Sequence, residues 1–290
     1  MLKIEGLSKT YGNGVKALAN VSLNVDKGMF GLLGPNGAGK SSLMKTIATL
    51  QSADEGSISF NGIDVFKDPS RIRQQLGYLP QDFGVYPKIS AFELLDHLAL
   101  LKGLESKTER HEQVNALLAQ TNLYDKRKNA VATFSGGMRQ RFGIAQALLG
   151  DPQLVIVDEP TAGLDPEERN RFHNLLCEIG ENIVVILSTH FVDDVRDLCS
   201  QMAILAHGQI LRHGVPTELM DDLAGNVWVK TISKDERADH EAEFDVISSH
   251  LFAGAVQIHV LSNSQPASDF IQQEPGLEDV YFSTLQQSFS

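Results

Sequence analysis

The eight residues Gly34-Pro35-Asn36-Gly37-Ala38-Gly39-Lys40-Ser41 constrain this chain more than any other stretch. They match G-x-x-x-x-G-K-[ST] in the required context: an apolar run at 29–33 predicts a strand before the motif, and 42–50 predicts a helix after it. Glycines at 34, 37 and 39 permit positive φ and close approach, so successive backbone N–H groups converge on phosphate oxygens at the positive end of the helix. Lys40 then reaches the outer phosphates, and Ser41 offers its hydroxyl to Mg²⁺. The stretch predicts a triphosphate site on an α/β scaffold.

Such a site needs a carboxylate, and Asp158-Glu159-Pro160 follows four apolar residues at 154–157. That run reads as a buried parallel strand with both acids at its carboxyl end, where open α/β sheets bind ligands. Asp158 is placed to hold Mg²⁺ through water, and Glu159 to orient or deprotonate an attacking water. A second glycine-rich turn, Ser135-Gly136-Gly137, precedes apolar residues at helical spacing: Met138, Phe142, Ala145, Leu148 and Leu149. Taken alone, it reads either as an ordinary serine-capped helix start or as another anion site strengthened by the helix dipole.

Taken together and in order, these elements resemble the nucleotide-binding subunit of an ATP-binding-cassette (ABC) transporter, over roughly residues 1 to 220. The resemblance implies a phosphate-loop NTPase core of ABC type. It adds an N-terminal antiparallel β subdomain, a helical subdomain at about 85–150, and a small α+β C-terminal extension. Tyr11 matches the aromatic that stacks on adenine, and Asn36, Ala38 and Ser42 accompany the phosphate-loop residues around ATP. Gln81 matches the lid glutamine, which joins Ser41 and Asp158 around Mg²⁺. Asp165 matches the loop that crosses between subunits, and His190 the switch histidine of the γ-phosphate. The catalytic set implied is Glu159, His190, Gln81 and Lys40, and Ser135-Gly136-Gly137 would grip the γ-phosphate of ATP held by a second subunit.

The chain departs from the commonest family pattern at Phe134 and Met138, where leucine and glutamine are usual. The glutamine's hydrogen bond to nucleotide is lost, while Ser135 and the two glycine amides remain. This variant resembles ATPases of drug, antibiotic and lipid exporters that have separate membrane subunits. The implied function is therefore an ATP-hydrolysing homodimer that powers export from the cytoplasmic face of a membrane. Segment 82–92, from Asp82 to Phe92, would contact the membrane partner. Arg139 and Arg141 read as a solvated helix edge or as local ion pairs.

Composition bears on the rivals. No run approaches the 18 or so apolar residues a membrane span needs, and Met1-Leu2-Lys3-Ile4-Glu5 has no charged-then-apolar signal pattern. A formal charge of −12 argues against a nucleic-acid partner. A cassette protein acting on ribosomes or DNA is further disfavoured by the lack of room for a long coiled coil between Lys40 and Ser135. A GTPase would want asparagine-lysine-x-aspartate, which does not occur. An importer ATPase remains an alternative, because one engine serves both directions. Cys177 and Cys199 lack metal-ligand spacing and read as buried thiols.

The tail differs in character: residues 225–290 hold Lys230, Lys234 and Arg237 against ten acidic residues. It is expected to form an accessory extension after an ATPase domain at 1–224. Strands are predicted at 227–232 and 255–261, a helix at 268–273, and a solvated loop or helix face at 233–243. Sensing a ligand and stiffening a dimer are both open to it.

Overall fold

The computed structural model describes residues 1–81, 83–84, 87–161, 163–252 and 254–288. Its centre is a six-stranded sheet in the order β10-β9-β3-β8-β7-β6. The members are β3 (Gly28–Leu33), β6 (Leu76–Leu79), β7 (Leu154–Asp158), β8 (Val184–Thr189), β9 (Gln201–Ala206) and β10 (Gln209–Gly214). Strands β6, β7, β8, β3 and β9 are mutually parallel, and β10 returns antiparallel to β9. Every residue of β7 and β8 is buried, as continuous apolar runs flanked on both faces require.

Alternation along β7 feeds two cores. Val155 and Val157 point to the helical side, while Leu154 and Ile156 point to the other, which is covered by a second sheet. That antiparallel sheet, in the order β2-β1-β4-β5, joins β1 (Leu2–Thr10), β2 (Lys16–Val25), β4 (Glu55–Phe60) and β5 (Ile63–Asp64). The expected strands at 29–33 and 154–157 lie within β3 and β7. Helix α1 (Lys40–Ile47) packs into this side, and α2 (Pro69–Gln75) leads into β6.

The helical side is built from α3 (Ala91–Leu101), α4 (Lys107–Gln120) and α5 (Gly136–Ala147), which contact one another. Ser90 and Ser106 cap α3 and α4, and α3 closes a full capping box with Glu93. Gly77 lets β6 lie against the end of α5: a Cβ there would come 2.0 Å from the Ala147 carbonyl oxygen. Helix α6 (Pro166–Gly180) connects β7 to β8, α7 (Val192–Leu198) follows β8, and α8 (Pro216–Asp221) follows the β9–β10 hairpin. Cys177 is exposed on α6, contrary to the expectation of burial, and Cys199 is buried with its thiol pushed well up by desolvation.

Beyond Gly225 a third, antiparallel sheet runs in the order β12-β13-β11-β14. It comprises β11 (Val227–Ile232), β12 (Val246–Phe252), β13 (Ala255–Leu261) and β14 (Ile271–Gln272). Helix α9 (Arg237–Glu243) buries nothing, in line with its charge-rich sequence. The expected helix at 268–273 does not form. Phe270 is instead a buried anchor, 5.1 Å from the Phe244 ring, and the chain then extends so that Ile271 and Gln272 pair with Val229 and Trp228. The last helix, α10 (Leu277–Gln287), packs on α7 and α8 as well as on β12. Its Asp279 accepts a 2.7 Å hydrogen bond from His259 of β13.

Candidate active site

Register in the central sheet brings the predicted residues together. Leu33 pairs with Thr189, Asp158 with Ser188, and Leu79 with Val157, so all four strands end in one row. The next residues out are Gly34, His190, Glu159 and, two steps beyond Leu79, Gln81.

The phosphate loop needs its glycines for two different reasons. Gly37 and Gly39 have φ of +81° and +110°, the left-handed region. Gly34 does not; it is required because a Cβ would stand 2.2 Å from the Leu205 carbonyl oxygen. Helix α1 starts at Lys40 with no side-chain cap, unlike α3, α5 and α6, and with no acid in its first turn, unlike α3 and α6. Its first amides and dipole thus lack a protein anion, as an anion-binding helix start requires. Ala38 is buried, whereas Asn36 and Ser41 are exposed on the loop's outer side.

Lys40 is only 5% exposed; its Nζ donates to the carbonyls of Gly34 at 2.7 Å and Pro35 at 3.2 Å. Burial pulls its pKa down, and the Glu159 carboxylate pushes back. The Glu159 carboxylate is the hub of the site. Its Oε1 lies 3.6 Å from Lys40 Nζ, while Oε2 accepts from Gln81 Nε2 at 3.4 Å and lies 3.4 Å from His190 Nδ1. Its backbone sits at φ +47°, where side chains with a Cβ are disfavoured. Two bonds hold it there: the Glu159 amide donates to the carbonyl and the hydroxyl oxygen of Ser188. Ser188, wholly buried, also donates its hydroxyl to Asp158 Oδ1 at 2.5 Å. Sequence reading missed this serine, whose signal was a hydroxyl following an apolar run of strand residues.

Tyr11 is 37% exposed, and its hydroxyl exchanges hydrogen bonds with Ser42 and Gln51 at 3.0 Å each. That ties the aromatic to α1 while the residue stays exposed. Phe191, exposed beside the site, lies with its ring centroid 4.1 Å from that of His190.

Ser135, Gly136 and Gly137 stand apart from this cluster. Among the described residues, no hydrogen bond or ion pair joins them to Lys40, Glu159 or His190. Ser135 caps α5 by accepting from the Met138 amide, and Gly137 is fixed by contact, since a Cβ would lie 2.5 Å from the Glu168 carboxylate. Phe134 and Met138 are packing residues: Phe134 is buried edge-on to Phe142, and Met138 rests on the same core. Arg139 donates to the Ala132 carbonyl from an exposed position. Arg141 is not a solvated edge; it is 8% exposed and faces Glu168 at 3.4 Å. Asp165 caps α6 through the Glu168 amide, and Ala162 of the same loop lies outside the described residues.

The oxygen donors Ser41, Gln81 and Asp158 fit a hard cation such as Mg²⁺. Gln81 commits its amide N–H to Glu159, so its oxygen is the atom a cation takes. Among the described residues no group of three or more His, Cys, Asp or Glu is set to hold a metal. An ion here would be completed by phosphate oxygens and water, as is usual for Mg²⁺.

A phosphate loop, a strand-end carboxylate pair and a histidine on adjacent parallel strands define a nucleoside-triphosphatase. Residues 18–162 match the family model described as "ABC transporter". The chain is 33% identical to a linearmycin resistance ATP-binding protein of Bacillus subtilis, across 90% of this chain and 83% of that protein. It is 32% identical to a Nod factor export ATP-binding protein of Rhizobium etli, across 95% and 90%. It superimposes with a TM-score of 0.68 and 28% identity on a dimeric ATP-binding cassette in a post-hydrolysis state bound to ADP and Pi, covering 74% of this chain and 98% of that one. The chain belongs to the ABC transporter ATP-binding family, and its fold is that of the ABC ATPase cassette. It is an ATPase of that family, whose subunits dimerise and work with membrane transporter partners.

Proposed function

We propose that two copies of this chain close around two ATP molecules and that the cycle drives export through a separate membrane-spanning partner. The observation that carries this reading is the single carboxylate of Glu159 facing Lys40, Gln81 and His190 at one row of strand ends.

In this reading Tyr11 stacks on adenine. Backbone amides of residues 34–42 and the Lys40 ammonium hold the phosphates. Ser41, Gln81 and Asp158 hold Mg²⁺, which when bound neutralises phosphate charge. Glu159 accepts a proton as water attacks the γ-phosphorus and the bond to the β–γ bridging oxygen breaks; His190 steadies the γ-phosphate. Ser135, Gly136 and Gly137 act on the nucleotide of the second copy, with Asp165 at the crossing. Their separation from Lys40 and Glu159 within one chain supports that reading.

Export is favoured over import by the relatives the chain resembles, one a resistance protein and one an export protein. Among the described residues no helix is long and apolar enough to cross a membrane, which suits an ATPase that lends force to another chain from the cytoplasmic face. Segment 82–92 is the proposed contact; within it Asp82, Val85 and Tyr86 lie outside the described residues. Residues 1–224 form the ATPase domain in this reading, and 225–290 an accessory extension.

Glu159→Gln tests the core of it. The variant should bind ATP as the parent does, hydrolyse it at least about a hundredfold more slowly, and elute as a dimer with ATP. Hydrolysis at the parental rate would remove Glu159 from its role.

A further inference from the structure

Asp194, on the first turn of α7, is completely buried and charged, and it belongs to none of the motifs that drew attention to the site. Five contacts reach it from three directions. Its Oδ2 accepts from Thr161 Oγ1 at 2.7 Å and from Thr189 Oγ1 at 3.2 Å. Its Oδ1 accepts from Arg169 Nε at 2.9 Å and Nη2 at 2.6 Å, and lies 2.9 Å from His173 Nε2. Burial pushes its carboxyl up, yet the bonds from His173, Thr161 and Arg169 outweigh that and bring it down to about 2. The group is therefore a permanent anion at neutral pH, balanced by Arg169.

The contacts lead to three different parts of the site. Thr161 lies two residues beyond Glu159, on the turn that Pro160 starts. Thr189 adjoins His190, and its hydroxyl also accepts the Phe191 amide at 2.9 Å. Arg169 and His173 lie on α6, whose cap is Asp165. The Arg169 guanidinium sits 5.1 Å from the Phe191 ring centroid, and that ring lies against His190. Among the described residues, the bonds of Asp194 do not touch the phosphate loop or α1.

We propose that Asp194 is a positioning residue for hydrolysis: it clamps the Glu159 turn, the His190 strand end and the α6 helix in one register, so that γ-phosphate chemistry responds to movement of α6 at the subunit boundary. This rests on the roles given above to Glu159 and His190. A rigid clamp of this kind acts on the chemical step and not on nucleotide affinity, because small displacements of a base or phosphate contact cost rate steeply.

The test uses the full chain. Asp194→Asn should lower kcat about tenfold or more and leave KM for ATP within about twofold. Thr189→Val, which keeps the shape and removes the bond to Asp194 together with the one from the Phe191 amide, should lower kcat by about threefold to tenfold; it carries the test if Asp194→Asn does not fold. A clamp acting through His190 also predicts non-additivity: in a His190→Ala background, Thr189→Val should cost less than about twofold further. Parental kcat in both variants, a parallel loss of ATP affinity, or fully multiplicative effects with His190→Ala would overturn the proposal. An inactive Glu159→Gln beside normal Asp194→Asn and Thr189→Val sinks the clamp alone; a fully active Glu159→Gln sinks the site reading beneath it.

Discussion

The ammonium of Lys40 lies 3.6 Å from Oε1 of Glu159, so the proposed phosphate-binding cation and the proposed base share one largely buried contact. A triphosphate in the loop competes with that carboxylate, and with the Gly34 and Pro35 carbonyls, for the same three N–H donors.

Lys40→Ala should therefore weaken ATP binding by about ten- to a hundredfold, the range expected for losing a charge-assisted contact. Titration with a fluorescent ATP analogue measures it. A change below about threefold would mean that the backbone amides of α1 carry the phosphates unaided.

The separation of Ser135 from Lys40 predicts complementation between defective chains. Ser135→Arg and Lys40→Ala should each be inactive as homodimers, the first while still binding ATP. Mixed, they form dimers in which one composite site has both defects and the other neither, so activity should return to about a quarter of the parental value if pairing is random. A mixture no more active than either variant would refute the shared-site arrangement or the independence of the sites.

Tyr11 predicts a split between base and phosphate. Tyr11→Ala should weaken ATP binding about tenfold through lost stacking, which is worth about 1–3 kcal/mol per base. Affinity for inorganic tripolyphosphate should not change. Tyr11→Phe, which keeps the ring and loses the ties to Ser42 and Gln51, should fall in between.

Asp194 makes stability depend on acid in a defined window. Its carboxyl is held at about 2 against an ordinary 3.8, so the stabilisation is full above pH about 4 and is lost as pH falls through 2. The size is about 2 kcal/mol, and it is absent from Asp194→Asn. Urea unfolding at pH 5 and at pH 2.5 should show the gap between parent and variant narrowing; a gap constant across that range would mean that the charge is not what the fold uses.

The core of the site was legible because its residues follow one another at strand ends: an apolar run followed by Gly34, by Asp158 and Glu159, or by His190 states its own position in a parallel sheet. The cap Ser135 was legible as one of two readings, because a helical pattern follows it. Residues that act across elements were silent. Ser188 reads as a polar letter after an apolar run, and Asp194 as one of two adjacent acids after the histidine, because all their partners but Thr189 lie 21 to 33 positions away in sequence. The tail was read least well. Phe270 appeared as a helical residue until its pocket against Phe244 was visible, and β12, rich in serine and histidine, lacked the apolar alternation that marks a strand.

Glu159 stands at φ +47°, a backbone region that suits glycine or asparagine better, and holding it there costs about 1 kcal/mol or more. Breeding this protein for heat resistance without assaying turnover would therefore favour loss of the proposed base. Variants with glycine at 159 should survive such a screen well, and a thermally improved lineage would be recognisable by an engine that loads ATP and never fires.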